Sequence, residues 1–350
     1  MAKTDGPPPG RLIDVHAHLA DGAFHGRLRD VLVEAAASGV AGVIGVAESA
    51  DDCGRLAAAA EEFHADTTVP ASCGAAAASP TSVMGACLGL HPVQTQADGA
   101  WESASLAELP PVFEHLHAHH AAPWLVGVGE VGLDFCPRTL ACRGPSGEEE
   151  CKAEQRRVLR AQARVARAMG LPLNVHSRSA GHHAIDLLAQ EGAGLESSAP
   201  APGTHGDGAV AAACGSWVER FACEPSGSGA GGGGRGAGAV LHAFDGKARF
   251  VRLGVERGFH FSVPPSAGRS PVMLKWIGAC PLDRLLLETD SPALPEHKGD
   301  SNVPARAGAG LALIAAAHGV SVEAAAAATT ANALRLFPRL KPLILRAGAP

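Results

Sequence analysis

The first apolar run of the chain ends in two imidazoles, in the stretch Leu12-Ile13-Asp14-Val15-His16-Ala17-His18. Alternate residues of a strand share a face, so both imidazoles can point to one side and bind one metal ion. Other ligand-type side chains also follow apolar runs of strand length, namely Glu130, His176, His242 and Asp290. The carboxyl ends of parallel strands share one face of a (β/α)8 barrel, so these distant side chains are expected to meet there.

Strand candidates alternate with helix-like stretches along the whole chain. We predict strands at 12–16, 42–46, 86–90, 125–129, 173–176, 240–242, 259–263 and 284–288. Such alternation indicates parallel βα units. The candidate ligands come from both the first and the last strand, and an open sheet would keep those two strands apart. The sequence therefore predicts the α/β class, with a closed (β/α)8 TIM barrel.

The length of 350 residues exceeds the roughly 250 residues typical of one such barrel. We expect a flexible N-terminus at 1–10, a single barrel domain at 11–340 and a tail at 341–350. The surplus is assigned to a Gly- and Ser-rich insertion at 193–239, predicted to be disordered with a short helix near Trp217–Phe221. A smaller Ala- and Ser-rich insertion is predicted at 67–84.

Composition and charge narrow the function classes. The formal net charge is −6, which gives no general attraction to nucleic acid and argues against a purely electrostatic DNA binder. The nine cysteines are scattered without a C-x-x-C pair, which predicts reduced thiols and a cytoplasmic or nuclear location. The N-terminus lacks the apolar core of a signal peptide, and no apolar run is long enough to span a bilayer, so no membrane association is expected.

Two carboxylates are the candidates for catalytic roles. Glu130 follows a Gly-rich strand, and its two oxygens can bridge two metal ions, which one imidazole cannot do; the alternative is an ion pair with an arginine. Asp290 ends the last strand and is predicted both to bind metal and to act as general base, because a carboxylate beside a metal-bound water can accept its proton. His176 and His242 complete four imidazoles, and their interpretation as ligands depends on the whole set.

Four further residues are predicted to support this site. His91 is expected to contact the substrate or the leaving group. Arg178 either contacts a substrate phosphate through its forked donors or forms a salt bridge within the barrel. Asp14 is expected to hold the neighbouring backbone or an imidazole, on the assumption that it shares the strand face of the two histidines. Glu288 is predicted to be structural or to support a ligand.

Two polar stripes are interpreted as solvated surface. The stripe Arg156, Arg160, Arg164 and Arg167 lies at helical spacing and is either a nucleic-acid strip or the solvated outside of a barrel helix, which we favour. The histidines His115, His117, His119 and His120 lie in a helix-like stretch and are also expected to face solvent.

Taken together, the motifs resemble one family. They are Asp14-Val15-His16-Ala17-His18, Gly89-Leu90-His91-Pro92, Gly129-Glu130-Val131-Gly132-Leu133-Asp134, Asn174-Val175-His176-Ser177-Arg178, Leu241-His242-Ala243-Phe244 and Glu288-Thr289-Asp290-Ser291-Pro292. In this order they resemble the TatD family of metal-dependent deoxyribonucleases, and most closely its eukaryotic TatD-domain-containing branch. The resemblance implies an amidohydrolase-like, metal-dependent hydrolase. It assigns His16, His18 and Asp290 to one metal, His176 and His242 to another, and Glu130 as the bridge.

Three functions are weighed on this basis. The leading hypothesis is a phosphodiesterase that hydrolyses DNA, single-stranded or end-exposed, with two divalent cations (Mg²⁺, Mn²⁺ or Zn²⁺) activating a hydroxide; the family implies 3′–5′ exonuclease or abasic-site cleavage. The alternative is a metal-dependent hydrolase of a small phosphoester, amide or lactone. Many amide hydrolases of this fold bridge their metals with a modified lysine on strand four, whereas this chain has Glu130. A non-catalytic interaction protein is a third reading, against which the complete ligand set argues. The sequence leaves the oligomeric state open.

Overall fold

The structure is a computed structural model that describes residues 12–67, 82–95, 99–141, 147–194, 208–223 and 238–347. The flexible N-terminus predicted at 1–10 lies outside the described residues. So do most of the insertion predicted at 67–84, both flanks of the insertion predicted at 193–239, and the last three residues of the predicted tail.

Eight parallel strands close into a barrel in the spatial order β1-β10-β9-β8-β7-β6-β3-β2, which confirms the predicted (β/α)8 fold. The barrel strands are β1 Leu12–Ala17, β2 Val40–Val46, β3 Val83–Leu88, β6 Leu125–Gly132, β7 Leu173–His176, β8 Ala239–Leu241, β9 His260–Val263 and β10 Leu285–Leu287. Asp14 pairs with Leu287, so the first and last strands are neighbours. The sequence did not indicate the small antiparallel hairpin of β4 Val93–Thr95 and β5 Trp101–Ser103.

Helices surround the barrel and begin and end where the local sequence allows. They are α1 Leu28–Ala37, α2 Ala50–Thr67, α3 Leu109–Ala118, α4 Pro137–Leu140, α5 Glu148–Met169, α6 Gly181–Gln190, α7 Gly208–Cys223, α8 Ala248–Glu256, α9 Pro271–Ile277, α10 Gly308–His318, α11 Val322–Leu336 and α12 Leu340–Arg346. Three acidic residues lie in the first turn of α5, where the helix dipole favours negative charge, and the helix ends at Gly170 in a left-handed conformation. Ser270 caps α9 by accepting a hydrogen bond from the Met273 amide.

Two apolar clusters hold the elements together. The larger one packs the outer faces of the strands against the helices. The smaller one fills the inside of the barrel with side chains from the inner faces of the strands, including Ile13, Ile44, Val126, Val240 and Leu286. On two strands a polar residue follows an inner apolar one after two positions: Glu288 follows Leu286, and His242 follows Val240. This apolar layer is the floor of the polar site.

The C-terminal segment closes the bottom of the barrel. Phe337 and Leu340 are fully buried in the inner cluster, and Leu343 and Ile344 of α12 are nearly so. Residues 341–346 were expected to be part of a tail, but they form most of α12. Their apolar side chains pack against the open lower end of the barrel. That end forms only on folding, so the sequence composition did not indicate it.

Truncating Phe337 to alanine is expected to destabilise the protein by about 3–5 kcal/mol, because the mutation leaves a cavity in the barrel floor. The free energy of unfolding would be measured by urea denaturation. Leu345→Ala is the matched control, since Leu345 lies on the adjacent helix with 64% of its surface exposed. Equal unfolding midpoints for the two variants would show that the floor does not depend on the C-terminal segment.

The insertion predicted to be disordered contains a sixteen-residue helix, α7. Its buried side chains Val210, Cys214 and Phe221 recur at helical spacing, and the helix packs against α5 and α3. The Trp217 ring lies 6.2 Å from that of Phe113. The Gly- and Ser-rich flanks hid this periodicity at the sequence level, where only a short helix near Trp217–Phe221 was expected.

The histidines predicted to face solvent on α3 are instead half-buried. The ring of His117 lies 6.0 Å from Trp217, and that of His120 lies 5.5 Å from Phe221. The helix from the insertion therefore covers this face.

The arginine stripe on α5 is not a uniform solvated surface. Arg160 and Arg164 both form salt bridges with Glu191, at 3.3 and 2.8 Å, and so tie α5 to the end of α6. Only part of the stripe remains open to a ligand.

Six cysteines in the described ranges are free thiols: Cys53, Cys87, Cys136, Cys151, Cys214 and Cys280. Within those ranges no single helix is long and apolar enough to cross a membrane. One helix pair, Pro304–His318 and Val322–Leu336, meets the length and composition criteria jointly but is bent by 110° at its break.

Candidate metal centre

Glu130 lies at the centre of the converging ligand candidates, and its two carboxylate oxygens face different imidazoles. Oε2 lies 3.4 Å from His16 Nε2 and 3.7 Å from His18 Nε2. Oε1 lies 3.1 Å from His176 Nδ1 and 2.8 Å from His242 Nε2. The side chain is buried beneath the C-terminal face of the barrel. One carboxylate therefore divides the site into two halves.

Asp290 belongs to the half that contains the β1 histidines. Its Oδ1 lies 3.0 Å from His18 Nε2 and 3.4 Å from His16 Nε2. The backbone of Asp290 is left-handed, with φ +54°, and its amide donates to the carbonyl of His16. Aspartate tolerates this conformation better than most side chains, and strained residues of this kind cluster at functional sites.

The donor set fits a metal ion. His16 Nε2 and Glu130 Oε2 are buried and have no hydrogen-bond partner among the described residues, although they lie 3.4 Å apart. An unsatisfied buried polar group costs about 1–3 kcal/mol, and a cation between these two atoms would satisfy both. Three overlapping sets of donors lie close enough to hold an ion: His16, His18 and Glu130; His91, Glu130 and His176; and His16, His242 and Glu288.

Asn174 fixes which nitrogen of His16 is free to bind metal. Its Nδ2 donates to the carbonyl of Val15 at 2.8 Å, so its Oδ1 is left to accept from His16 Nδ1, also at 2.8 Å. The proton of the ring therefore lies on Nδ1, and the lone pair of Nε2 points into the site. Such partners orient a metal-binding imidazole and raise its basicity.

Asp134 does the same for His176. His176 Nε2 donates to Asp134 Oδ2 at 3.1 Å, which leaves Nδ1 facing Glu130. Asp134 is itself held because its Oδ1 accepts from the Cys136 amide and the Thr139 hydroxyl. This carboxylate–imidazole pair is the arrangement that commonly supports a metal ligand.

The charges of the site perturb every titrating group in it. Burial by itself lowers the pKa of His18, but its hydrogen bond to Asp290 outweighs burial and raises the pKa to about 9. Burial is outweighed in the same way at His176, whose bonds to Asp134 and Glu130 raise the pKa to about 9. Burial raises the pKa of Asp290, yet the adjacent imidazoles of His16 and His18 hold it well below its usual range.

Metal binding is expected to release protons, because imidazoles with raised pKa values carry protons at neutral pH and must lose them to bind a cation. About one proton per ion should be released at pH 7, and metal affinity should rise as the pH increases towards 9. Calorimetric titration of metal-free protein with Zn²⁺, in two buffers of different ionisation enthalpy, measures this release. Identical binding enthalpies in both buffers would contradict it.

Asp14 supports the strands, and Glu288 both supports them and belongs to one of the donor sets that could hold an ion. Asp14 accepts hydrogen bonds from the amides of His16 and Thr289 and from the Thr289 hydroxyl, so it fastens β1 to the end of β10. The expected contact of Asp14 with the neighbouring backbone is present in its bond from the His16 amide, and the register of β1 shifts between Asp14 and Ala17. Glu288 accepts from the Ala243 amide and the Ser262 hydroxyl and lies 3.7 Å from His242 Nδ1.

The two predicted substrate contacts take different positions. His91 is buried in the half that contains His176, with its Nε2 3.5 Å from Glu130 Oε1. Burial lowers the pKa of His91 to about 4, so this imidazole is neutral. Arg178 lies at the rim with 48% of its side chain exposed, and its Nε is 3.6 Å from Asp134 Oδ2. It thus combines the salt bridge with a guanidinium open to a ligand.

Sequence reasoning missed three residues of the site. Asn174 and Asp134 occur in the motifs quoted for the resemblance but received no role. Glu48, just beyond β2, lies 3.8 Å from His18 Nδ1, and burial raises its pKa. The position of Glu48 after an apolar strand was the one available signal, the same signal that singled out Glu130.

The chain is similar in sequence and in fold to known proteins. A family model described as TatD-related DNase matches residues 13–338. The chain is 33% identical over 336 residues to the human protein named deoxyribonuclease TATDN3, covering 95% of this chain and 97% of that protein. It is 24% identical over 302 residues to a protein of Edwardsiella piscicida named 3′–5′ ssDNA/RNA exonuclease TatD, covering 84% and 86%. The crystal structure of the TatD homologue YJJV of Escherichia coli has the same fold, with a TM-score of 0.65 at 23% identity, covering 94% and 98%.

Proposed function

Because the chain belongs to the TatD-related DNase family of metal-dependent hydrolases, we propose that it cleaves phosphodiester bonds of DNA with two divalent metal ions. The single observation that carries this proposal is the division of Glu130, whose Oε2 faces His16 and His18 while its Oε1 faces His176 and His242. A carboxylate in this position bridges two ions. His16, His18 and Asp290 would hold one ion, and His176 and His242 the other.

The side chains of the chain account for the organisation of the reaction. When bound, two closely spaced divalent ions polarise a phosphate and lower the pKa of a water molecule. Asn174 and Asp134 keep the ring nitrogens of His16 and His176 aimed at the site. The apolar floor below the ligands excludes bulk water, which strengthens electrostatic interactions there.

Proton movement is assigned to Asp290 and His91. The low pKa of Asp290 keeps its carboxylate ionised, so it can accept a hydrogen bond from the attacking water and orient it. His91 is neutral and faces the half of the site opposite Asp290, where it can hydrogen-bond the leaving oxygen. Arg178 at the rim is placed to contact a phosphate of the substrate.

The substrate proposed is single-stranded or end-exposed DNA, degraded from its 3′ end. The name of the Edwardsiella piscicida relative, a 3′–5′ ssDNA/RNA exonuclease, and the buried position of the centre, which suits a strand end, support this proposal. Cleavage at abasic sites, which present a sugar without a base, is a second activity of the same site. Reduced cysteines throughout the described ranges suit a cytoplasmic or nuclear enzyme.

The test is cleavage of single-stranded DNA labelled at its 5′ end by metal-stripped protein resupplied with Mg²⁺, Mn²⁺ or Zn²⁺. A ladder of products that shorten one nucleotide at a time from the 3′ end supports the proposal. A parallel substrate with one internal abasic site reveals the second activity as a single cut. A protein that binds two ions, leaves DNA intact and hydrolyses a small phosphoester or a lactone would contradict DNA as substrate.

A further inference from the structure

Four rings lie in succession along the rim of the barrel face that holds the metal centre. The ring centroids of Phe135 and His183 are 5.4 Å apart, those of His183 and His182 are 3.8 Å apart, and those of His182 and Phe250 are 4.9 Å apart. The last pair is nearly parallel, with an interplanar angle of 18°. We call these four residues the ring ladder.

The ring ladder crosses three adjacent βα units. Phe135 follows β6, the two histidines lie in the first turn of α6 after β7, and Phe250 lies in the first turn of α8 after β8. These three strands are neighbours in the barrel. Phe135 is bonded to Asp134, whose carboxylate holds the ligand candidate His176. The ladder therefore begins one residue away from the metal centre and leads outwards from it.

Guanidinium groups flank both ends of the ladder. The Cζ of Arg156 lies 5.0 Å from the ring centroid of Phe135, and that of Arg249 lies 4.6 Å from the ring centroid of Phe250. Arg249 is exposed. Arg156 forms no salt bridge with a described residue, whereas Arg160 and Arg164 of the same stripe are paired with Glu191. Of the two stripe arginines without a salt bridge to a described residue, Arg156 and Arg167, Arg156 lies at the catalytic end of α5, beside the ladder.

A pocket of about 470 Å³ opens at the start of the ladder, lined by Phe135, Arg156, Ser179 and His183 among others. This volume lies in the range of small-molecule sites. Two acidic residues, Glu148 and Glu149, also line the pocket, and Glu149 is paired with Lys152 at 2.7 Å. Burial and the charges of His182 and Arg156 lower the pKa of His183, so its ring is neutral and presents a π-face.

We propose that the ring ladder is the track for the single-stranded DNA segment next to the scissile phosphate, with bases stacked on its end rings, Phe135 and Phe250, and phosphates against Arg156 and Arg249. Aromatic side chains interleaved with arginines are the recurring surface for single strands, because every base offers a π-face. This inference rests on the proposed function and adds the path of the substrate.

The charge of the chain favours a single strand over a duplex. With a net charge of −6, the chain has no general electrostatic attraction to duplex phosphates. Stacking on rings requires bases that are splayed out of a helix, which a single strand provides at little cost.

The experiment compares cleavage of a thymidine 12-mer with cleavage of a thymidine dinucleotide by the Mn²⁺-loaded full chain. Phe250→Ala is expected to raise KM for the 12-mer by about 5- to 150-fold, the loss of one stacked base, and so to reduce the preference for the longer substrate. Phe250→Trp should retain that preference, because it keeps a stacking ring. Arg249→Ala should raise KM for the 12-mer as well, whereas Arg346→Ala, which removes one exposed charge at the opposite end of the barrel, should not.

A second readout separates the ladder from the catalytic proposal. Binding of a fluorescent thymidine 12-mer to the Glu130→Gln protein is measured by anisotropy, with and without Phe250→Ala. Weaker binding on loss of the Phe250 ring supports the ladder. This conclusion would hold even if the wild-type protein cleaved no DNA with any metal. Equal KM values and equal affinities with and without the Phe250 ring would overturn the ladder, even for a protein that cleaves DNA efficiently.

Discussion

Replacement of Glu130 by glutamine is expected to reduce kcat/KM for DNA cleavage by at least about 10³-fold, together with a loss of bound metal. Bridging requires two oxygens, one for each half of the site, and glutamine replaces one of them with an amide nitrogen whose lone pair is delocalised into the carbonyl and cannot bind a metal ion. Positioning by two metals contributes several kcal/mol to transition-state stabilisation, and each 1.36 kcal/mol is tenfold in rate. Glu130 Oε2 lies 3.4 Å from His16 Nε2, and Oε1 lies 2.8 Å from His242 Nε2. The substitution removes a metal-binding oxygen from one of these two positions.

Metal content and activity should be measured on the same samples, by elemental analysis and by product formation. Glu130→Asp is the informative companion, since it keeps both oxygens on a side chain one methylene shorter, and it should retain some metal but little activity. Glu256→Gln on the exposed end of α8 serves as the matched control. A Glu130→Gln protein with full metal content and full activity would remove Glu130 from the bridge.

The second large effect is expected at Asp290. Asp290→Asn should lower kcat by about 10²- to 10⁴-fold, the range for loss of a group that accepts a proton. Asparagine occupies the left-handed conformation at φ +54° as readily as aspartate, so the backbone is preserved. The affinity for the ion near His16 and His18 should fall, while the ion near His176 and His242 remains.

The pH dependence distinguishes a proton acceptor from a purely structural residue. Because His16 and His18 hold the pKa of Asp290 below the usual range of a carboxylate, the wild-type rate should lose this carboxylate's contribution only on the acid side of that range, and the variant should lack that acid limb while retaining any other. Asp283→Asn, an exposed aspartate at the opposite end of the barrel, is the matched control. An unchanged pH profile with a lower rate would mean that Asp290 holds the ion without handling the proton.

The fold and the ligand candidates could be predicted for the same reason. Apolar runs of strand length precede His16, Glu130, His176, His242 and Asp290. Barrel closure brings the ends of those strands together regardless of the length and conformation of the loops between them. The tail and the insertion were harder to predict. The helix α7 depends on four apolar residues between Gly-rich flanks, and α12 depends on the open lower end of a barrel that exists only after folding.

Sequence by itself determined the barrel, its strand order and the six side chains that converge on its C-terminal face, because strand periodicity and chain order fix where each strand end lies. The division of those side chains around Glu130 was implied by the family resemblance, and the tertiary structure supplied its distances. Only the tertiary structure decided which nitrogen of each ring faces inwards. Those choices depend on contacts such as Asn174 with His16, formed between residues 158 positions apart. The ring ladder has the same origin, since Phe135, His182 and Phe250 become neighbours only when three separate βα units pack side by side.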